Sequence, residues 1–422
     1  MNSRERVIAA IHHQAPDRCP IDLGGCTQTG INASALWYLK KTLGMGDAPV
    51  KIVEVSQMLG EVTEDVRKWS GTDVVGLFNR NAAYGYKMEG WKPWTLDDGT
   101  PVLMPGGFEY DIDAQGNKWV YPQSDRSAPY SACMTKGGSF FDNVDHSEGF
   151  DMDLEEGDLT PAEDFRDDFR AMDEEDALYY ERETRRLFEE TEYAVIGVLG
   201  GGSIGDVSGI PGPSVKRPRG IRRIQDWLMA HELFPDYIRE VFRYQTDVML
   251  KNLEIYREAV GERIQAVWVS GTDLGTQHST FLRNETFRAL YKPFYREIND
   301  WIHQNTSWKT FYHSCGAIYP LLQDLVEMGV DILNPVQCSA AGMEPERLKA
   351  EFGDRLVFWG GGVDTQRVLP FGTPDEVEAQ VKERIRIFNQ DGGFVFSTIH
   401  NIVAGVLPEN LIRAYETAQG LR

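Results

Sequence analysis

Residues 309–335 read KTFYHSCGAIYPLLQDLVEMGVDILNP, and their order decides the fold. Lys309–His313 is a short apolar run ending in polar residues, as a strand buried on both faces requires. Ile318–Met328 has apolar residues at helical spacing and stops at Gly329, a residue suited to the left-handed turn that ends a helix. Asp331–Pro335 is the next apolar run. Strand, helix and strand in this order predict parallel strands joined by a crossover helix.

The same rhythm runs along the chain. Candidate strands are Cys19–Gly24, Asp73–Phe78, Ala194–Leu199, Ala266–Ser270, Lys309–His313, Asp331–Pro335, Leu356–Gly360 and Gly393–Ser397. Helical patterns include Asn284–Asn305, with Asn284 as cap, Thr373–Asn389, with Thr373 as cap and Pro374 in the first turn, and Leu407–Gln419. Eight such units predict an α/β fold, a TIM (β/α)8 barrel spanning residues 1–422 as one domain. An open doubly wound sheet is the alternative, but no GxGxxG follows the first strand. Tyr84–Phe141 breaks the rhythm with Gly, Trp, Tyr and Asp and with turns at Asp98-Gly99 and Gln115-Gly116-Asn117. It reads as a β-rich hairpin insertion (84–141) after the second strand, with Trp91, Trp94 and Trp119 packing the hairpins. Asp151–Arg170, very acidic, reads as a solvated connector.

Charge narrows the function. With 43 Lys and Arg against 65 Asp and Glu, the formal net charge is −22, which disfavours a nucleic-acid binder or a protein held on an anionic membrane. The one dense basic stretch, Lys216–Arg223, reads as a solvated loop and helix start, with an anion-binding loop as the sharper alternative. There is no apolar run near membrane-spanning length, the first residues lack a signal-peptide pattern, and five Cys do not make a disulfide framework. The expectation is a cytoplasmic, reduced protein whose thiols are free to act as ligands.

A barrel of this kind builds its site at the C-terminal ends of its strands. Asp273, His313, Cys315, Cys338, Asp364 and His400 all follow candidate strands. His313 and Cys315, spaced HxC before Gly316, offer nitrogen and sulfur from one loop, which suits zinc. His400 is the first choice for a third ligand and Cys338 the second; each also has a plain reading as a packed side chain. Asp273 reads as a ligand, as a partner orienting a His, as a helix cap, or, with His400, as a catalytic acid or base. Gln277, Gln337, Asp364 and Asn401 stand where a substrate would be held. Cys19, Cys26 and Cys133 read as packing.

Five stretches carry a resemblance: Asp273-Leu274-Gly275-Thr276-Gln277, HSCG at 313–316, GVDILNPVQ at 329–337, FWGGGVDTQ at 358–366, and GGFVFSTIHN with LPENL within 392–411. On these the chain resembles the uroporphyrinogen decarboxylase-like superfamily, whose fold is a TIM barrel. The decarboxylases proper hold porphyrinogen carboxylates with an Arg-rich N-terminal loop; the equivalent PIDLGGCTQTGIN here contains no Arg. The chain is more similar to the zinc-dependent corrinoid methyltransferase and O-demethylase branch. That branch uses His-x-Cys and a later Cys as zinc ligands; His313 and Cys315 match, and His400 stands near the later position. A second imidazole in place of thiolate leaves zinc more electropositive, which suits an oxygen substrate. The resemblance implies methyl transfer from a small methylated substrate, a methyl ether, to the cobalt of cobalamin in a separate corrinoid protein. No DxHxxG-type cobalamin motif occurs in this chain. A homodimer is also implied. The alternatives are a metal-free decarboxylase or lyase, with Asp273 and His400 moving protons, and a non-catalytic binding barrel.

Overall fold

The computed structural model describes residues 1–147 and 159–421. Among these residues the strands, in chain order, are β1 (Val50–Glu54), β2 (Leu59–Gly60), β3 (Val74–Leu77), β4 (Lys92–Thr95), β5 (Pro101–Met104), β6 (Tyr110–Ile112), β7 (Lys118–Val120), β8 (Ala132–Met134), β9 (Asp142–Asn143), β10 (Ala194–Val198), β11 (Ala266–Ser270), β12 (Lys309–His313), β13 (Ile332–Asn334), β14 (Val357–Trp359) and β15 (Phe394–Val395). One parallel sheet runs β15-β14-β13-β12-β11-β10-β3. These seven are the second to eighth strands read from the sequence.

The expected first strand, Cys19–Gly24, is present only as a bridge, Ile21 to Phe396. Asp22 N donates to Phe396 O and Phe396 N to Pro20 O, both at 2.8 Å. On its other side Asp73 N donates to Ile21 O at 2.7 Å. Here the N–H groups of Ile21 and Leu23 go to the side chains of Asp73 (3.0 Å) and Thr72 (2.9 Å), so a regular ladder to β3 does not form. The segment nevertheless lies between β15 and β3 and closes the barrel.

Side chains alternate between two cores, as the two-residue period of a strand dictates. Ala194, Ile196, Val198, Ala266, Trp268, Phe311, Trp359 and Val395 form an inner cluster. Val195, Val267, Val269, Tyr312, Leu333 and Phe358 join the outer cluster that packs the helices. His313, two residues after Phe311, shares its inward face.

The region around the expected insertion forms two four-stranded sheets, β2-β1-β5-β4 and β6-β7-β8-β9. Trp94 packs edge-on against Phe108 and Tyr110. β1 and β2 were not read from the sequence: β1 enters its sheet by parallel pairing with the distant β5.

Three local readings are corrected. Residues 151–158 of the acidic segment lie outside the described residues, but the rest is not a solvated connector. It contains the short helix Pro161–Asp164 and buries Phe165, while Asp168 takes a bidentate pair from Arg222 (2.7 and 2.8 Å). Arg222 is fully buried, so the basic stretch turns one of its charges inward onto that acid. The helix Asn284–Asn305 breaks at Tyr291 into Asn284–Leu290 and Lys292–Asn305, with Arg283 rather than Asn284 at the cap position.

One outer contact makes a pH prediction. His231, 2% exposed, uses both ring nitrogens, toward Trp227 O and Tyr291 Oη at 2.8 Å each. Burial pushes its pKa down to about 4. Its stabilising contribution is therefore complete above the unfolded value near 6.5 and is lost as pH falls from there toward 4, by about 2–4 kcal/mol. Denaturant midpoints at pH 7 and pH 4.5 should fall less for His231→Gln than for the parent protein; equal falls would refute the assignment.

Candidate metal centre

The chain brings His313, Cys315 and His400 to one point. One ligand-type atom from each lies within 4.8 Å of the others. His313 ends β12, Cys315 begins the loop after it, and His400 follows β15. Cys315 Sγ is 3.6 Å from His313 Nε2. Tetrahedral zinc with ordinary Zn–N and Zn–S bonds sets nitrogen and sulfur about 3.6 Å apart. The two rings meet edge-on, with centroids 5.3 Å apart. Cys338 is outside the group; its thiol points at Val336 O, 3.4 Å away.

The His313 ring is fixed from behind. Its Nδ1–H donates to Asn334 Oδ1 at 2.6 Å, and Asn334 Nδ2 donates to Trp359 O at 2.9 Å. This leaves the Nε2 lone pair toward Cys315, the arrangement of an oriented metal-binding imidazole. Asp273 Oδ1 accepts from Cys315 N at 2.7 Å and lies 3.7 Å from His313 Nε2.

The ligand loop is tied to the Asp273 loop. Leu274 N donates to Ser314 Oγ at 3.0 Å, and Ala317 N to Thr276 O at 2.8 Å. Gly316 has φ +97°, and a Cβ there would lie 2.3 Å from Gly275 O, so the crossing requires glycine.

Electrostatics favours neutral ligands. Burial pushes His313 to about 4; burial and then the neighbouring His313 push His400 to about 4. Both imidazoles are thus unprotonated at neutral pH, as ligation needs. Burial, then Asp273, raises the Cys315 thiol well above its usual range, and burial raises Asp273. A bound cation would reverse that order for the thiol.

The four expected substrate contacts are placed differently. Gln337 Oε1 accepts Gly316 N at 2.8 Å and props the ligand loop. Asp364 Oδ1 accepts Gln366 N (2.7 Å) and Arg367 N (3.1 Å). Asn401 Oδ1 accepts Gly30 N and its Nδ2 donates to Gln57 Oε1, both at 2.7 Å. Gln277 is exposed. None is among the residues lining the large cavity at the strand ends, about 830 Å³, whose wall includes Gln28, Phe78, Asn79, Tyr86, Asp206 and Trp268. Asp206 and Trp268 were not singled out from the sequence. Asp206 lies in the glycine-rich loop after the third strand, Ala194–Leu199, and Trp268 sits inside an apolar run that reads only as core.

Residues 219–421 match the sequence family Uroporphyrinogen decarboxylase (URO-D). No curated protein sequence matches the chain. Among solved structures, a methyltransferase from Methanosarcina mazei is similar over 100% of this chain and 99% of its own, with TM-score 0.57 and 15% identity. Residues 219–421 are therefore similar in sequence to the uroporphyrinogen decarboxylase family, and the whole chain shares an α/β-barrel fold with that methyltransferase structure.

Proposed function

We propose that the protein is a zinc-dependent methyltransferase that moves a methyl group from a small methyl ether to the cobalt(I) of a separate corrinoid protein. The observation that carries this reading is the convergence of His313, Cys315 and His400 at the C-terminal ends of the barrel strands. The methyltransferase fold neighbour supports it. His313 and His400 offer neutral nitrogens and Cys315 a sulfur, while Asn334 holds the His313 tautomer. Asp273 fixes the Cys315 backbone. When bound there, zinc supplies Lewis acidity to the ether oxygen and stabilises the departing phenolate or alkoxide. Cytoplasmic location and a homodimer belong to the same reading; no described helix is long and apolar enough to cross a membrane.

Decarboxylation of a tetra-carboxylate is disfavoured by the cavity's cations. Arg80, Lys87 and Arg170 line it, and each is already paired with acids: Glu175 and Asp176, Glu175, and Asp173 and Asp176, respectively. The test is metal content by mass spectrometry on protein purified without chelators or a His-tag. About one zinc per chain is expected, with near-complete loss in Cys315→Ala. Metal-free protein after reduction and zinc supplementation would end this reading.

A further inference from the structure

We infer that the cavity selects a methyl donor bearing a positively charged nitrogen, seated between the Asp206 carboxylate and the Trp268 ring. The inference deepens the methyl-transfer reading and rests on it only in taking a methyl ether as the ligand.

Two independent observations meet at this wall. The first is an uncompensated acid. Asp206 accepts only from its own turn, Ser208 N at 3.1 Å and Ser208 Oγ at 2.8 Å, and has no cationic partner among the described residues. Residues 148–158 contain no Lys or Arg that could supply one. The cavity's own cations are held by other acids, as above. Asp273, the neighbouring carboxylate, adds charge of the same sign. A partly buried carboxylate beside another is relieved by a cation, and this one has none among the described residues.

The second is an orphaned donor. Trp268, 9% exposed and lining the cavity, has no partner for its indole N–H among the described residues. The Tyr86 hydroxyl, on the same cavity, is also without one, and Tyr86 is 6% exposed. Unpaired buried donors of this kind are uncommon in native proteins and mark this wall as unusual. Trp268 stands in the inner barrel cluster with Phe78 packed against that cluster. An indole face is the best aromatic surface for a cation. Together the wall suits a molecule with a cationic nitrogen and an apolar body. An anionic methyl ether would meet Asp206 as a like charge.

The test measures binding by calorimetry, with no metal and no methyl acceptor added, so it remains decisive if the zinc reading fails. The probes are para-methoxyphenethylamine, para-methoxyphenylpropionate and para-ethylanisole, which share a methoxyphenyl body and differ in charge. The amine should bind at least about tenfold more tightly than the acid, with the neutral ether between them. Asp206→Asn should reduce the amine-to-acid ratio to within about twofold. Trp268→Phe, which keeps a ring and removes the N–H, should weaken all three probes while preserving their order. Circular dichroism identifies a variant that fails to fold, and the parent protein's ranking stands without either variant. Equal binding of amine and acid, a preference that survives Asp206→Asn, or no binding of any probe at millimolar concentration would each overturn the proposal.

Discussion

Asp73→Ala is expected to destabilise the protein by about 3–5 kcal/mol, because it removes the fully buried acceptor that Arg6, Arg18 and the Ile21 N–H share. Asp73 is fully buried. Its Oδ1 accepts from Arg6 Nη1 (2.6 Å), Arg18 Nη2 (2.9 Å) and Ser3 Oγ (2.8 Å), and its Oδ2 from Arg18 Nη1 (2.8 Å) and Ile21 N (3.0 Å). The substitution leaves the largely buried Arg6 without that partner and the Ile21 N–H without an acceptor, and both penalties fall at the seam of the barrel. In a chain this long the loss corresponds to a drop of about 3–6 °C in melting temperature. Asp17→Ala is the control. Asp17 also pairs with Arg6, at 2.7 Å, but its side chain is 44% exposed, so the expected cost is within about 1 kcal/mol. A melting point for Asp73→Ala within about 1 °C of the parent, the error of such a measurement, would refute the role given to the network.

Asn334→Leu is expected to weaken zinc binding about 10–100-fold while leaving all three proposed ligands in place. The leucine cannot accept from His313 Nδ1, so the ring loses the bond that sets its tautomer and its angle. Competition against a chromophoric chelator reads the effect directly. Unchanged affinity would remove His313 Nε2 from the ligand set, since no other contact would then explain the 2.6 Å bond behind it.

Much of the barrel was legible because a strand buried on both faces writes its burial into consecutive residues. AVIGVL, AVWVS and KTFYH need no partner to be recognised. The pairing of His313 with Cys315 was legible for the same reason, being local, and His400 was reachable through the rule that strand ends converge. What stayed hidden depends on distant partners. β1 is stabilised through β5, some fifty residues on, and its own sequence VKIVE is too short to announce it. Arg222 looked like one more surface charge until Asp168, 54 residues earlier, came beside it. Asp206 owes its interest to what is missing around it, and an absent counter-charge leaves no mark in a linear pattern. Gln337 and Asn401 were read as facing a substrate because polar residues at strand ends do so in many barrels; here their amides bind backbone and another side chain instead.

The seam also has a bearing on the order of assembly. The Ile21 segment meets Phe396, and Gly30 meets Asn401, 371 positions away. Contacts of such separation form late, because the loop must close before they contribute. During synthesis the Ile21 segment waits, its β15 side open, until residues 394–402 have been made. His400 arrives on that same last stretch, next to Asn401. The third proposed ligand and the closing edge of the barrel are therefore delivered together, so that capture of a metal by all three residues would serve as a chemical record that the ring has closed.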